Sequence, residues 1–249
     1  MEAKDRIIVA LDVSNIERAA TLVQELIPYV GGFKLGLEFI TGTLAKLAST
    51  GLWEAFHNLA VFRNLICVAK EKLFWDGKWA DIPNTIAGAA QGIQPLSPMF
   101  INVHASSGME AIKAAVANRG HSLVLGVTVL TSIKEEECIS IFGDSPWKKV
   151  FQFAEMLVEA GADGIICSPQ ELNVLNTFAE LHRLLRVVPG VRPSWAELGD
   201  QKRVMTPAEA IDAGADWLVI GRPITKPPAE IGLPVDAAKK IAEEIASVL

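Results

Sequence analysis

Cysteine is scarce in this chain, and the few present are scattered. Cys67, Cys138 and Cys167 are the three thiols, and no two of them form a Cys-x-x-Cys pair. With four dispersed histidines they offer no ligand spacing, so neither a metal nor a metal-bound cofactor is expected. The odd thiol count fits a reducing compartment better than a disulfide framework. There is no Pro/Ser-rich linker, no low-complexity tract and no strong repeat beyond strand–helix alternation, so residues 1–249 are expected to form one domain. No apolar run is long and charge-free enough to span a bilayer, and no membrane partner is expected. Positive charge is in deficit, with a formal net charge of -6. That argues against a nucleic-acid surface, yet an anionic ligand needs only a local basic pocket. Met1-Glu2-Ala3-Lys4-Asp5-Arg6 leads straight into a strand with no signal-peptide pattern, and a cytoplasmic location is the expectation.

Apolar residues make up half of the 249, ample for a large core. They fall into short runs separated by helical patterns. Ile7 to Val13 is a near-continuous apolar run, the mark of a strand buried on both faces of a parallel sheet, and Asp12 sits at its C-terminal end. Ser14 or Asn15 caps the helix that follows. Gly32 to Leu37 reads as a second strand with Lys34 inside it, and a lysine buried there needs a partner. A long segment, roughly 41–72, reads as helical, with Trp53, Phe56, Leu59, Phe62 and Ile66 at helical spacing as a core or interface stripe. Further strands are expected from Leu73 to just before Asp81, at 99–105, 122–130 and 164–168, within 186–192 together with its exit loop, and at 217–222. Helices are expected at 85–91, 109–118, 147–160, 170–179, from Thr206-Pro207, and at 235–248. Eight βα units imply a parallel sheet, and polar residues at the strand ends all round the set favour an α/β fold closed as a (β/α)8 TIM barrel over an open doubly wound sheet.

One stretch concentrates charge. Leu73-Phe74-Trp75-Asp76-Gly77-Lys78-Trp79-Ala80-Asp81-Ile82-Pro83-Asn84-Thr85 begins apolar, then sets three charges within six residues. Strand alternation points Asp76 and Lys78 the same way, and Pro83 ends the strand and leaves Asp81 in the turn. Asn84 and Thr85 are candidate helix caps. Two other loops carry anion chemistry: Pro189-Gly190-Val191-Arg192-Pro193 with Gly199-Asp200-Gln201 after strand seven, and Gly221-Arg222 after strand eight. Those are the usual phosphate-binding loops of barrels, where glycines admit backbone N–H groups and arginine binds phosphate bidentately. Thr131 and Ser132 end strand five with two hydroxyls, while His104 reads as a hydrogen-bonded core residue.

Asp76-x-Lys78-x-x-Asp81-Ile82-Pro83-Asn84-Thr85 resembles the signature of the orotidine 5'-monophosphate decarboxylase family in its bacterial branch. The likeness runs through nearly the whole chain in order. It implies loss of CO2 from C6 of orotidine 5'-monophosphate to give UMP, in de novo pyrimidine biosynthesis, with no metal or organic cofactor. By resemblance Asp12 holds the ribose hydroxyls and Lys34, Asp76, Lys78 and Asp81 form the charged network. Lys78 then delivers the proton to C6, and Thr131-Ser132 contacts the pyrimidine. Arg192, Gln201, Gly221 and Arg222 belong to the phosphate site. The resemblance also implies a homodimer with shared active sites, Asp81 reaching into the partner's site with Ile82 and Thr85 beside it. Gly77 departs from the family's usual apolar residue and Ala80 from a frequent His; Trp75 and Trp79 are unusually bulky, and the segment around 51–71 is long. A metal-dependent sugar-phosphate decarboxylase or aldolase on a related barrel, and a nucleotide-binding protein without the chemistry, are the alternatives.

Overall fold

The computed structural model describes residues 1–196 and 205–249. Gly199, Asp200 and Gln201 of the expected phosphate loop lie outside the described residues. Eight parallel strands close into a barrel in chain order: β1 (Ile7–Ala10), β2 (Gly32–Gly36), β3 (Leu73–Trp79), β4 (Phe100–His104), β5 (Leu123–Val127), β6 (Gly164–Ile166), β7 (Leu185–Pro189) and β8 (Trp217–Ile220), which pairs with β1. Every expected strand is present, and several are shorter than their apolar runs. The fifth stops at Val127 because the Thr128 hydroxyl donates to the Ile166 carbonyl at 2.9 Å and the chain turns into its loop.

The strands divide their side chains between two cores. Ile7, Val9 and Leu11 face outward into the main core under the helices. Ile8 and Ala10 point inward and join Phe74, Phe100, Leu125, Val187 and Val219 in a plug that fills the barrel. Phe100 anchors that plug edge-on to both Phe74 and Trp217, with ring centroids 5.8 and 5.5 Å apart. Above it, on the same inward faces, the strands change to polar residues.

The outer layer comprises α1 (Ile16–Leu26), α2 (Leu37–Ser49), α3 (Leu52–Ala69), α4 (Pro83–Ile93), α5 (Met109–Asn118), α6 (Glu135–Phe142), α7 (Pro146–Ala160), α8 (Leu172–Asn176), α9 (Pro207–Asp212), the short α10 (Arg222–Thr225) and α11 (Pro234–Ala246). Asn15 caps α1, its side chain accepting from the Arg18 N–H. Thr206 and Glu209 form the capping box of α9, with Pro207 at the first position. The long helical segment is two helices rather than one. Thr50 and Gly51 adopt extended backbone, and the Thr50 hydroxyl bonds back to the Lys46 carbonyl, so α2 stops and α3 starts afresh. The aromatic stripe on α3 divides as well: Phe62 and Ile66 pack on the core, while Trp53, Phe56 and Leu59 are exposed.

The cap of α4 also differs from expectation. Ile82 is the N-cap and Pro83 takes the first helical position, so Asn84 and Thr85 lie inside the first turn. The fixed φ of proline suits that position, and its missing N–H costs nothing there. The acidic run Glu135-Glu136-Glu137 opens α6, favourably placed at the helix's positive end, in a stretch not expected to be helical. Among the described residues no helix is long and apolar enough to cross a membrane.

Candidate active site

A cavity of about 690 Å³ opens at the C-terminal ends of the strands, a volume suited to a small-molecule ligand. Its wall on one side is charged. Lys34 lies on β2 with its ammonium nine-tenths buried, 2.9 Å from Asp76 Oδ2 and 3.1 Å from Asp12 Oδ1. Lys78 Nζ is 2.6 Å from each Asp76 oxygen. The order is therefore Asp12–Lys34–Asp76–Lys78, with charges alternating along it. Asp76 is almost wholly buried, Asp12 is exposed at the rim, and Lys78 reaches solvent through the cavity.

Burial by itself would raise the Asp76 carboxyl, but Lys34 and Lys78 together outweigh it and hold the pKa below its ordinary value. Burial would likewise lower Lys34, and Asp76 with Asp12 more than offsets that, leaving it raised. Both groups stay charged in a place where an unpaired ion would not. His104, half-buried on β4, is pushed below its ordinary value by burial first and by Lys78 next, so it stays neutral beside this chain of charges.

The local backbone explains how Asp76 and Lys78 share a face at such close range. Pairing of β3 with β4 runs Trp75 with Ile101 and resumes at Trp79 with Val103, so three residues, Asp76, Gly77 and Lys78, oppose the single Asn102. This bulge gives Lys78 a φ of 45°, an uncommon conformation for lysine. Gly77 and the two tryptophans compensate one another: a Cβ at Gly77 would lie 2.7 Å from Trp79 Nε1 and 3.2 Å from Trp75 Nε1. The indoles occupy the space a side chain would need, and glycine is what fits between them.

The opposite wall comes from the loops after β5, β7 and β8. Thr131 and Ser132 line the cavity, as do Arg192, Gly221 and Arg222. Arg192 is buried, its guanidinium donating to the Val191 carbonyl at 2.9 Å, and its backbone N–H bonds Met205 across the loop base. Gly190 turns the chain out of β7 at φ 82°, where a Cβ would be strained.

Of the residues picked from the sequence, Asp12, Lys34, Asp76, Lys78, Thr131, Ser132, Arg192, Gly221 and Arg222 meet at this one cavity. Asp81, Ile82 and Thr85 do not: they are exposed on the flank, with Asp81 Oδ1 accepting from the Ile82 N–H at 2.7 Å. Glu38 and Thr225 line the cavity and were not anticipated. Asn102 was missed too, although an asparagine within the apolar run Phe100-Ile101-Asn102-Val103 is itself a signal, because a buried amide needs partners. Among the described residues no group of three or more His, Cys, Asp or Glu side chains is placed to hold a metal.

The family model described as Orotidine 5'-phosphate decarboxylase / HUMPS family matches residues 5–241. Orotidine 5'-phosphate decarboxylase of Moorella thermoacetica is 40% identical over 262 residues, covering 100% of this chain and 95% of that protein. The enzyme of the same name from Syntrophomonas wolfei is 37% identical, covering 98% of this chain and 99% of its own length. The crystal structure of orotidine 5'-phosphate decarboxylase from Lactobacillus acidophilus superimposes with a TM-score of 0.72 at 29% identity, over 96% of this chain and 98% of that one. With a match over nearly its full length and the charged strand-end residues gathered in one cavity, the chain belongs to the Orotidine 5'-phosphate decarboxylase / HUMPS family.

Proposed function

We propose that this chain decarboxylates orotidine 5'-monophosphate to UMP, the carboxy-lyase step of de novo pyrimidine biosynthesis, without metal or organic cofactor. The observation that carries the reading is the alternating Asp12–Lys34–Asp76–Lys78 chain at the cavity wall. Breaking the C6–carboxyl bond releases CO2 and leaves the electron pair on C6. A fixed cation at that position stabilises the developing charge. Lys78 is that cation, and one of its N–H protons passes to C6 to complete UMP; the amine regains a proton from solvent. Asp76 holds the ammonium in place and faces the departing carboxylate. Asp12 and Lys34 take the ribose hydroxyls, and Thr131-Ser132 takes the pyrimidine edge.

The acceleration required of such a reaction is on the order of 20 kcal/mol, more than one lysine supplies. Contacts far from C6 provide the rest by orienting the substrate. Arg192, Gly221 and Arg222 form the phosphate site, and Gln201 belongs to it by its place in the loop after β7.

The chain works as one barrel domain in the cytoplasm and pairs as a homodimer. The exposed Asp81, with Ile82 66% exposed beside it, supports that pairing, since a large apolar side chain next to a carboxylate suits a partner's surface better than water. In the dimer Asp81, Ile82 and Thr85 complete the partner's site.

The test is the ultraviolet assay of orotidine 5'-monophosphate loss in EDTA, on the wild type and Lys78→Ala. Turnover by the wild type and none by the variant is expected. A wild type inert toward this nucleotide that turns over a sugar phosphate once divalent metal is restored would overturn the reading.

A further inference from the structure

The geometry points to Asn102 as the positioning residue for Lys78, a splint on β4 that keeps the bulged end of β3 in its working shape. This inference rests on the decarboxylase reading above. The bulge takes the Lys78 N–H out of the strand ladder, and a buried N–H without an acceptor is costly. Asn102 lies opposite the bulge, fully buried, and its Oδ1 accepts that N–H at 2.8 Å. Its Nδ2 donates to Asp76 Oδ1 at 2.6 Å. The two ends of the amide are not interchangeable. A backbone N–H can only donate, so the oxygen must face Lys78 and the NH2 is left for the carboxylate.

One short side chain thus ties the lysine's backbone to the anion that grips the same lysine's ammonium. Lys78 is held at both ends, at its main chain by Asn102 and at Nζ by Asp76. Asp76 in turn is fixed by Asn102, Lys34 and Lys78 together. Few other residues meet the demand. Aspartate has the shape but offers two acceptors, glutamine is one methylene too long, and alanine has neither group. A left-handed lysine relaxes toward extended backbone unless something holds it. A displacement of Nζ by about 1 Å suffices for roughly a 10²-fold loss in rate.

The experiment compares the wild type, Asn102→Ala and Asn102→Asp for kcat and KM from about pH 5 to pH 9, with UMP affinity by calorimetry as the measure of an intact site. For Asn102→Ala, kcat is expected to fall on the order of 10²-fold while KM and UMP affinity stay within about threefold. Asn102→Asp keeps an acceptor for the Lys78 N–H but sets a second carboxylate against Asp76. The charged and titratable groups facing it are Asp76 and Lys78 on β3, Lys34 on β2 and His104 on β4. Two adjoining carboxylates share a proton, so its kcat relative to wild type should rise as pH falls, when a donor toward Asp76 returns. His104 is common to all three proteins, and the wild-type profile accounts for it. If Asn102→Ala does not fold, the Asn102→Asp profile decides. The inference is overturned by an alanine variant with kcat within threefold of wild type, by losses in kcat and UMP affinity that run in parallel, or by an aspartate variant whose pH profile follows the wild type. A wild type inert toward orotidine 5'-monophosphate removes the decarboxylase reading and the inference together, and is told apart by that control.

Discussion

Two layers of the same barrel, two to four residues apart along the chain, have opposite characters. Ile8, Phe74 and Phe100 fill the lower layer and are dry. Asp12, Asp76 and Asn102, further along the same inward faces, form the upper layer with Lys34 and Lys78. The lower layer is held by apolar burial and edge-on ring contacts, which are non-directional and tolerate exchange of similar volumes. The upper layer is held by charge and hydrogen bonds, which tolerate almost none, because removing one partner strands another. The plug makes the upper layer possible. It closes the barrel from below, so the charges sit where water reaches them from one side only and their mutual attraction is less screened.

On that division upper-layer changes cost rate, and cost stability too where they strand a buried charge, whereas lower-layer changes cost stability alone. The largest effect is expected for Lys78→Ala and Asp81→Ala, each losing at least about 10⁴-fold in turnover with UMP still bound. Mixed and re-dimerised, the two variants should regain about a quarter of wild-type activity, because half the dimers are hybrids with one intact site each. No recovery in dimers shown to have exchanged would place Asp81 outside the shared site.

Asp76→Asn comes next, with about 3 kcal/mol of stability lost at pH 7, since it leaves Lys34 and Lys78 facing each other. Its pH signature is specific. Asp76 is held below its ordinary 3.8, so its share of stability is present above that value and is lost as pH falls through the depressed folded pKa. Lys34 is held above 10.5, so its share is present below that value and is lost as pH rises through the raised one. In thermal melts across pH the variant should therefore show a flatter acid limb and a flatter alkaline limb. Limbs that superimpose on the wild type would mean the pair contributes little.

Arg222→Ala should lower kcat/KM about 10- to 100-fold through lost phosphate contact, without altering the thermal midpoint appreciably. An unchanged kcat/KM would remove Arg222 from the phosphate site. The smallest effect is the lower-layer control. Phe100→Leu should cost about 1.5 kcal/mol in a denaturant titration and leave kcat alone; a rate loss beyond threefold would break the division between the layers.

Sequence alone determined the alternation of strands and helices and hence the barrel, because the period of apolar residues is a local property that each strand carries independently. It also determined which charges lie at strand ends, since Lys34, Asp76 and Lys78 have no place in a dry core unless paired. The helix break at Thr50-Gly51 and the cap at Ile82 were decided by local bonds that periodicity does not report, such as Thr50 to Lys46, while the end of β5 was decided by a tertiary one, Thr128 to Ile166. The tertiary structure alone decided the bulge opposite Asn102, the left-handed Lys78 and the fit of Gly77 between Trp75 and Trp79. Those features depend on register between β3 and β4, a relation between residues some two dozen positions apart, and register exists only once the barrel has closed.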